Sequence, residues 1–214
     1  MSVITAVTAQ VKDKSRANIF IDGEFALGVP AIVVAELRLK PGTEISAAEL
    51  NSIAVKADSE QALVKAAKLV SKSLKTEREV RNYLKEKNYL PEAVAHAVEK
   101  LKSYGYIDDS AYVRAYIRTH AKTRGEKRIA AELKNKGVAE AVIGEGLKEA
   151  SKDGELNQSG ACYALAVKYM KNKPYDLNTK RKLSNYLYSR GYEWTAAGEV
   201  IAKIFGEKET GEFC

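Results

Sequence analysis

Four kinds of side chain in this sequence could carry chemistry: two histidines, two cysteines, twelve tyrosines and a surplus of lysine and arginine. Metal binding needs neighbouring ligands, and neither His96 nor His120 has a second histidine or cysteine at ligand spacing. Phosphate-binding and nucleophile motifs are absent: there is no GxxxxGK[ST] loop and no G-x-S-x-G elbow. Gly144-Glu145-Gly146 is too short for a dinucleotide signature and falls inside a predicted helix. Cys162 reads as a small buried residue rather than a nucleophile. With Cys214 at the far end of the chain, both cysteines read as free thiols of a reducing compartment. No catalysis, metal or cofactor is expected.

The basic residues are the better candidates, because of where they lie. Residues 1–57 hold six basic and six acidic side chains. Residues 58–206 hold 28 lysines and arginines against 19 acids, and the tail 207–214 is acidic. A surplus confined to one segment suits a polyanion or an acidic protein surface. The candidate partner contacts are Lys75, Arg78 and Arg81, then Arg114, Arg118, Lys122, Arg124, Lys127 and Arg128, then Lys180, Arg181, Lys182 and Arg190. Arg78, Lys127 and Arg181 recur at one offset near a predicted helix start, where a cation and free backbone N–H groups suit phosphate or carboxylate. All twelve tyrosines lie between Tyr83 and Tyr192 among these cations. They could stack bases, but filling helix interfaces is the simpler use. Trp194 likewise reads as packing.

These side chains need elements to position them. Residues 1–57 read as a small β-rich head. Alternation in VITAVTAQV and two apolar runs around Asp22-Gly23 predict a hairpin. Pro30 opens a short helix, KPGTEI marks a turn, and Ser46 with Glu49 forms a capping box for a further short helix. No apolar run is long enough for a membrane span, and MSVITAVTAQVKDKS lacks the pattern of a secretory signal.

Beyond residue 57 the sequence repeats. LKEKNY, LKNKGV and LYSRGY anchor three copies, with Asn88, Gly137 and Gly191 at the same place. Counted from that residue, apolar side chains fall eight and four before it and six, ten and thirteen after it in every copy. Steps of three and four place them on one stripe of two successive helices. Asn and Gly suit the left-handed residue that ends a helix. A preceding helix carries small pairs: Ala62 and Ala66, Ala111 and Ala115, Gly160 and Ala164. The fold class expected is mainly α: three tandem three-helix repeats over 58–106, 107–155 and 156–206, stacked into an elongated monomeric body.

In YGYIDDSAYVRAYIRTHAKTRGEKRIAAELKNKG, Asp108, Asp109 and Ser110 supply a helix start, and Gly125-Glu126 opens the next helix. This middle stretch, with the later YLYSRGYEW, resembles the bacterial RecX family of regulatory proteins. The head is similar to the form found in low-GC Gram-positive members. The resemblance implies a cytoplasmic, non-enzymatic modulator of the recombinase RecA. Such proteins lie in the groove of RecA filaments on DNA, typically inhibit ATP hydrolysis, strand exchange and co-protease activity, and in some cases bind single- or double-stranded DNA directly. No catalytic residue carries over. Two other classes stay open: a stand-alone DNA-binding protein using a helix-turn-helix-like repeat, and a helical scaffold without a nucleic-acid link, against which the basic surplus counts.

Overall fold

The computed structural model describes residues 2–11 and 13–209, with side chains as far as Gly206; Cys214 lies outside the described residues. The chain divides into two compact units between Ile107 and Asp108.

The first unit opens with β1 (Ser2–Ala9), β2 (Arg16–Ile21), β3 (Glu24–Pro30), α1 (Ala31–Glu36) and β4 (Glu44–Ile45). The strands form an antiparallel sheet in the order β3-β2-β1-β4. The β2–β3 hairpin turns on Asp22 and Gly23, at φ 50° and 90°. Two positive φ values in succession make the tight turn whose twist matches the flanking strands, so the Asp-Gly expectation holds. Pro30 is the N-cap of α1, one residue earlier than the helical position expected for it.

Helix α2 (Ala47–Val70) differs from the expectation of a head ending at residue 57. The Ser46–Glu49 capping box starts it, but the helix then runs unbroken for 24 residues. Its first half places Ile53 and Ala57 under the sheet with Ile4, Ile19, Val29, Val33 and Ile45. Its second half places Ala62 and Ala66 among the core residues of the first repeat. No glycine or proline falls between Ile53 and Ala66, so the helix is not broken at the change of core.

The first repeat is completed by α3 (Glu77–Glu86) and α4 (Pro91–Ser103). The second unit contains the other two repeats: α5 (Asp109–His120), α6 (Glu126–Asn135) and α7 (Glu140–Lys152), then α8 (Gln158–Met170), α9 (Leu177–Ser189) and α10 (Trp194–Glu209). At all five apolar offsets of all three repeats the side chain is buried, from Val80 and Leu84 to Ile201 and Ile204. Leu84, Leu133 and Leu187 are fully buried, and cutting any one to alanine would cost about 2–5 kcal/mol. Asn88, Gly137 and Gly191 have φ of 60°, 88° and 86°, the left-handed ends expected of them. Gly105 and Gly154, at φ 72° and 73°, repeat the device one helix later.

The first helix of each repeat is where the expected register fails. Ala62 and Ala66 are buried, but Ala111 and Ala115 are only half-buried, and Gly160 and Ala164 are exposed. The core side chains there are Val113 with Ile117, and Cys162 with Ala166. Each pair lies two residues beyond the expected one, which on a helix means the opposite face. The connection between first and second helices spans 71–76 in one repeat and 121–125 in the next, so counting back from the turn misplaces the register. The small residues fell on matching offsets without sharing an environment.

Within the second unit, the start of α6 abuts the end of α9. Gly125, the N-cap of α6, donates its N–H to the carbonyl of Arg190, the C-cap of α9, at 2.8 Å. Glu126 N–H donates to Oε1 of Gln158 at 2.9 Å. Unsatisfied donors of one helix thus meet an unsatisfied acceptor of another, with opposite ends of the two helix dipoles facing. The approach leaves no room for a side chain: a Cβ on Gly125 would lie 2.2 Å from the Gly191 carbonyl oxygen. Gly125→Ala should therefore lower stability by about 2–3 kcal/mol, because backbone rather than a movable side chain must give way. Gly105→Ala, in open space and strained only by its φ, should cost about 1 kcal/mol. Thermal denaturation of the two variants checks this; equal melting would mean that the two backbones do not touch.

Candidate docking surface

The basic residues of the middle repeat were expected to form an outward ridge, and most of them are occupied. Glu132 on α6 collects three partners: Arg124 Nη1, Arg128 Nε at 3.0 Å, and the Tyr116 hydroxyl at 2.8 Å. Arg124 also donates to the Tyr116 hydroxyl at 2.7 Å. Arg128 reaches further, donating from Nη1 to the Ser189 carbonyl at the end of α9 at 2.9 Å. Lys127 pairs with Glu193 at 2.8 Å, and Arg118 with Glu155 at 2.9 Å. Lys127 and Arg128 therefore cross the α6–α9 junction, and Arg124 shares the Glu132 carboxylate with Arg128. Only Arg114 and Lys122 of this set are exposed without an ion pair among the described residues, and Arg114 lies at a small cleft beside Glu145 and Glu149.

The first repeat behaves similarly. Arg81 binds Glu77 at 2.7 Å and lies 3.8 Å from Glu99, while Lys102 closes the same set on Glu77 at 3.0 Å. Arg78 is exposed on the first turn of α3, and Lys75 is half-buried just before it.

In the third repeat the candidate cations are less engaged, although Lys180 lies 5.6 Å from the Phe205 ring centroid. Lys180, Arg181 and Lys182 are exposed, and among the described residues none makes an ion pair. The nearest acid in sequence, Asp176, is engaged as the α9 N-cap: it accepts the Thr179 N–H at 2.7 Å, and that bond holds its carboxyl below the ordinary value of 3.8. The cap also explains a discrepancy in position. Helix α9 is one turn longer at its start than α3 or α6, so Arg181 is its fifth residue while Arg78 and Lys127 are second in theirs. The shared offset therefore marks a helix start in two repeats, not three. Arg190 is half-buried at the other end of α9, 5.1 Å from the Tyr186 ring centroid.

The extra turn of α9 forms one wall of a groove of about 410 Å³ against α10. Leu177 and Arg181 line one side; Gly198 and Ile201 lie on the other. Trp194, expected to be packed, is 71% exposed, and Leu177 is 85% exposed. The indole stacks on Tyr188 with ring centroids 4.4 Å apart and planes 8° from parallel. Trp194 is the first residue of α10, so only a neighbour on α9 can cover it, and one face is all that Tyr188 can shield. The groove thus combines two large exposed apolar side chains with cations that make no ion pair among the described residues. Sequence reasoning missed Trp194 and Leu177. The usable signal was an aromatic residue directly after a helix-ending Gly-Tyr-Glu, outside the apolar stripe. It also passed over Lys168, Lys171 and Lys173, which gather around Val167 at the end of α8.

The other reactive groups are enclosed. Cys162 is fully buried, and burial pushes its thiol up to about 11. Burial likewise raises the Tyr192 phenol to about 12. His120 stacks edge-on to Tyr116 at 4.3 Å, and burial followed by the Arg124 charge lowers its pKa. Among the described residues no group of three His, Cys, Asp or Glu is placed to hold a metal ion, and no helix is long and apolar enough to cross a membrane.

A curled antiparallel head followed by three-helix repeats defines a mainly helical repeat protein, with an open basic and aromatic groove in its third repeat. The comparisons with known proteins narrow the class. Residues 2–46 match the regulatory protein RecX N-terminal domain, 62–101 the first RecX three-helix domain, and 108–147 the second. The chain is 33% identical over 210 residues to the regulatory protein RecX of Clostridium acetobutylicum, covering 96% of this chain and 98% of that one. It is 31% identical to that of Clostridium beijerinckii, covering 95% and 96%. A crystal structure of regulatory protein RecX superposes with a TM-score of 0.72 at 26% identity, over 97% of this chain and 100% of that chain. RecX from Lactobacillus salivarius shares the fold at a TM-score of 0.61, over 69% of this chain and 96% of its own. The chain belongs to the RecX family of regulatory proteins. The second family match begins at residue 62, inside α2, in keeping with a helix that serves two cores.

The Glu132 hub gives a pH test. Burial alone would raise this carboxyl, but hydrogen bonds from Tyr116, Arg128 and Arg124 outweigh it and hold the pKa below 4.5. A carboxyl lowered on folding contributes stability that is complete above its unfolded-state value and is lost as pH falls through the folded one. Glu132→Gln should cost about 1–2 kcal/mol at neutral pH, and the gap from the parent should narrow as pH falls below 4.5. Thermal melts across that range measure it; a constant gap would mean that the charge of Glu132 is not what its partners recognise.

Proposed function

We propose that this protein regulates the RecA recombinase by docking on RecA filaments formed on DNA, and that it inhibits ATP hydrolysis, strand exchange and co-protease activity there. On this reading it acts without catalysis or cofactor, as a cytoplasmic monomer. The observation that carries the proposal is membership of the RecX family over nearly the whole chain. The third-repeat groove supplies the surface: Lys180 and Arg181 attract an acidic partner, and Trp194 and Leu177 offer apolar area to bury. Direct contact with DNA is the second reading. It is favoured by the exposed indole beside Arg181, an arrangement that can take an unstacked base next to its phosphate.

DNA-dependent ATP hydrolysis by the cognate RecA, with and without this protein, tests the main reading; an unchanged rate would remove it. Two double variants separate docking from structure. Lys180→Glu/Arg181→Glu should fold normally and lose most of the inhibition. Arg124→Glu/Arg128→Glu should instead lower the melting temperature, since it places three acids where one carboxylate held two guanidiniums and a phenol. If phosphates are contacted, each lost cation should also flatten the slope of log affinity against log salt on naked single strands by about 0.7. Undiminished inhibition by the folded Lys180/Arg181 variant would exclude the groove.

A further inference from the structure

The third-repeat groove has a counterpart in the second repeat. Counted from the helix-ending glycines, Ser184 and Ala130 lie seven residues before, and Gly198 and Gly144 seven after. Ten after, Ile201 and Leu147 form the floor. Three before and three after, a pair spans the mouth: Tyr188 stacked on Trp194 in one repeat, Lys134 bonded to Glu140 in the other. The second groove holds about 290 Å³. In the first repeat Arg81 stands seven before Asn88 and reaches across α3 and α4 to within 3.8 Å of Glu99. Neither glycine is explained by the fold: a Cβ on Gly144 or Gly198 would meet nothing within 4 Å. Each lies inside a helix, where glycine costs about 1 kcal/mol relative to alanine and normally needs a compensating reason.

We propose that the grooves of the second and third repeats are two copies of one docking site, each taking the same acidic, apolar-anchored segment from one of two neighbouring protomers of the partner filament. The inference rests on the reading of the protein as a filament-binding regulator and adds where, and how many times, it holds on. Equivalent walls and floors call for equivalent occupants, and a polymer presents the same segment repeatedly. Charge complementarity selects an acidic protein segment. Lys180 and Arg181 stand open at one groove, and at the other the Lys134–Glu140 pair is 66% and 75% exposed. An ion pair so exposed is worth little, so an incoming carboxylate can replace Glu140 on Lys134. The uncovered Leu177 and Trp194 ask for an apolar side chain that a sugar-phosphate backbone does not provide.

Gly144→Leu and Gly198→Leu test this directly. Both add bulk to a groove from a position where a Cβ meets nothing within 4 Å, and both should melt at or above the parent temperature. On RecA filaments each single variant should bind about a hundredfold more weakly, because losing either groove removes the gain from linked sites, and the double variant should lose groove-dependent binding altogether. On RecA kept as free protomers, the single variants should stay within about twofold of the parent, since one groove then suffices. Lys134→Glu and Arg181→Glu, which reverse charge without adding bulk, should reproduce the filament result. Parent-like filament binding by Gly144→Leu, with Gly198→Leu weakened, would overturn the paired grooves and leave the regulator reading intact. Equal loss of naked single-stranded DNA binding by the filled variants would make the occupant nucleic acid and overturn the proposal. If the unaltered protein neither binds filaments nor changes ATP hydrolysis, both readings fall together.

Discussion

The second unit depends on one backbone contact, the meeting of Gly125 with the Arg190–Gly191 end of α9. A three-helix repeat buries its own stripe, but its helix ends remain a problem: amide donors at the start of α6 and carbonyls at the end of α9 have no partner within their own helices. Bringing the two ends together satisfies both, and the geometry demands glycine on each side. The requirement spreads outward. Arg128 donates across the junction to Ser189, Glu132 holds Arg128, and Arg124 with Tyr116 holds Glu132. Lys127 and Glu193 close the same boundary from the solvent side. A cluster that looks like a basic surface in sequence is thus mostly an internal clamp.

That division of labour explains why charge density misled and charge location did not. The middle repeat has ten basic residues and nine acids, and Arg118, Arg124, Arg128 and Lys134 pair within it; the third has eight and three, too few acids to pair its cations. A cation costs little in water and gains little from an exposed partner, so the few cations left without one are those available to another molecule. In the third repeat they border the groove whose walls carry Leu177 and Trp194.

The features that were legible in the sequence share a physical cause. Periodic apolar positions, the left-handed helix ends, the Asp-Gly hairpin and the Ser46 capping box are all local, set by residues within a few positions of one another. The head and the repeats could be read for that reason, and the family followed from the middle repeat. What could not be read was long-range. Whether Ala111 or Val113 faces the core depends on the loop between α5 and α6, one helix away from the anchor. Whether Arg128 is a ligand or a strut depends on Glu132 and on a helix some sixty residues downstream. The position of α2 across two cores was hidden because each half of it looked like a complete short helix. Trp194 was hidden because an aromatic near a turn is usually covered, and the turn itself gave no sign of the open groove beside it.

The shared helix α2 has a consequence for how such a chain can be rearranged. Repeats joined by turns can be gained, lost or exchanged at their boundaries, because each brings its own three helices. The head cannot be exchanged in that way. Its sheet is closed by Ile53 and Ala57, and the same rod supplies Ala62 and Ala66 to the next core. Cutting between them would leave the sheet with an unanchored lid and the first repeat with two helices instead of three. Head and first repeat are therefore one structural piece, and an exchange that separates them has to rebuild α2.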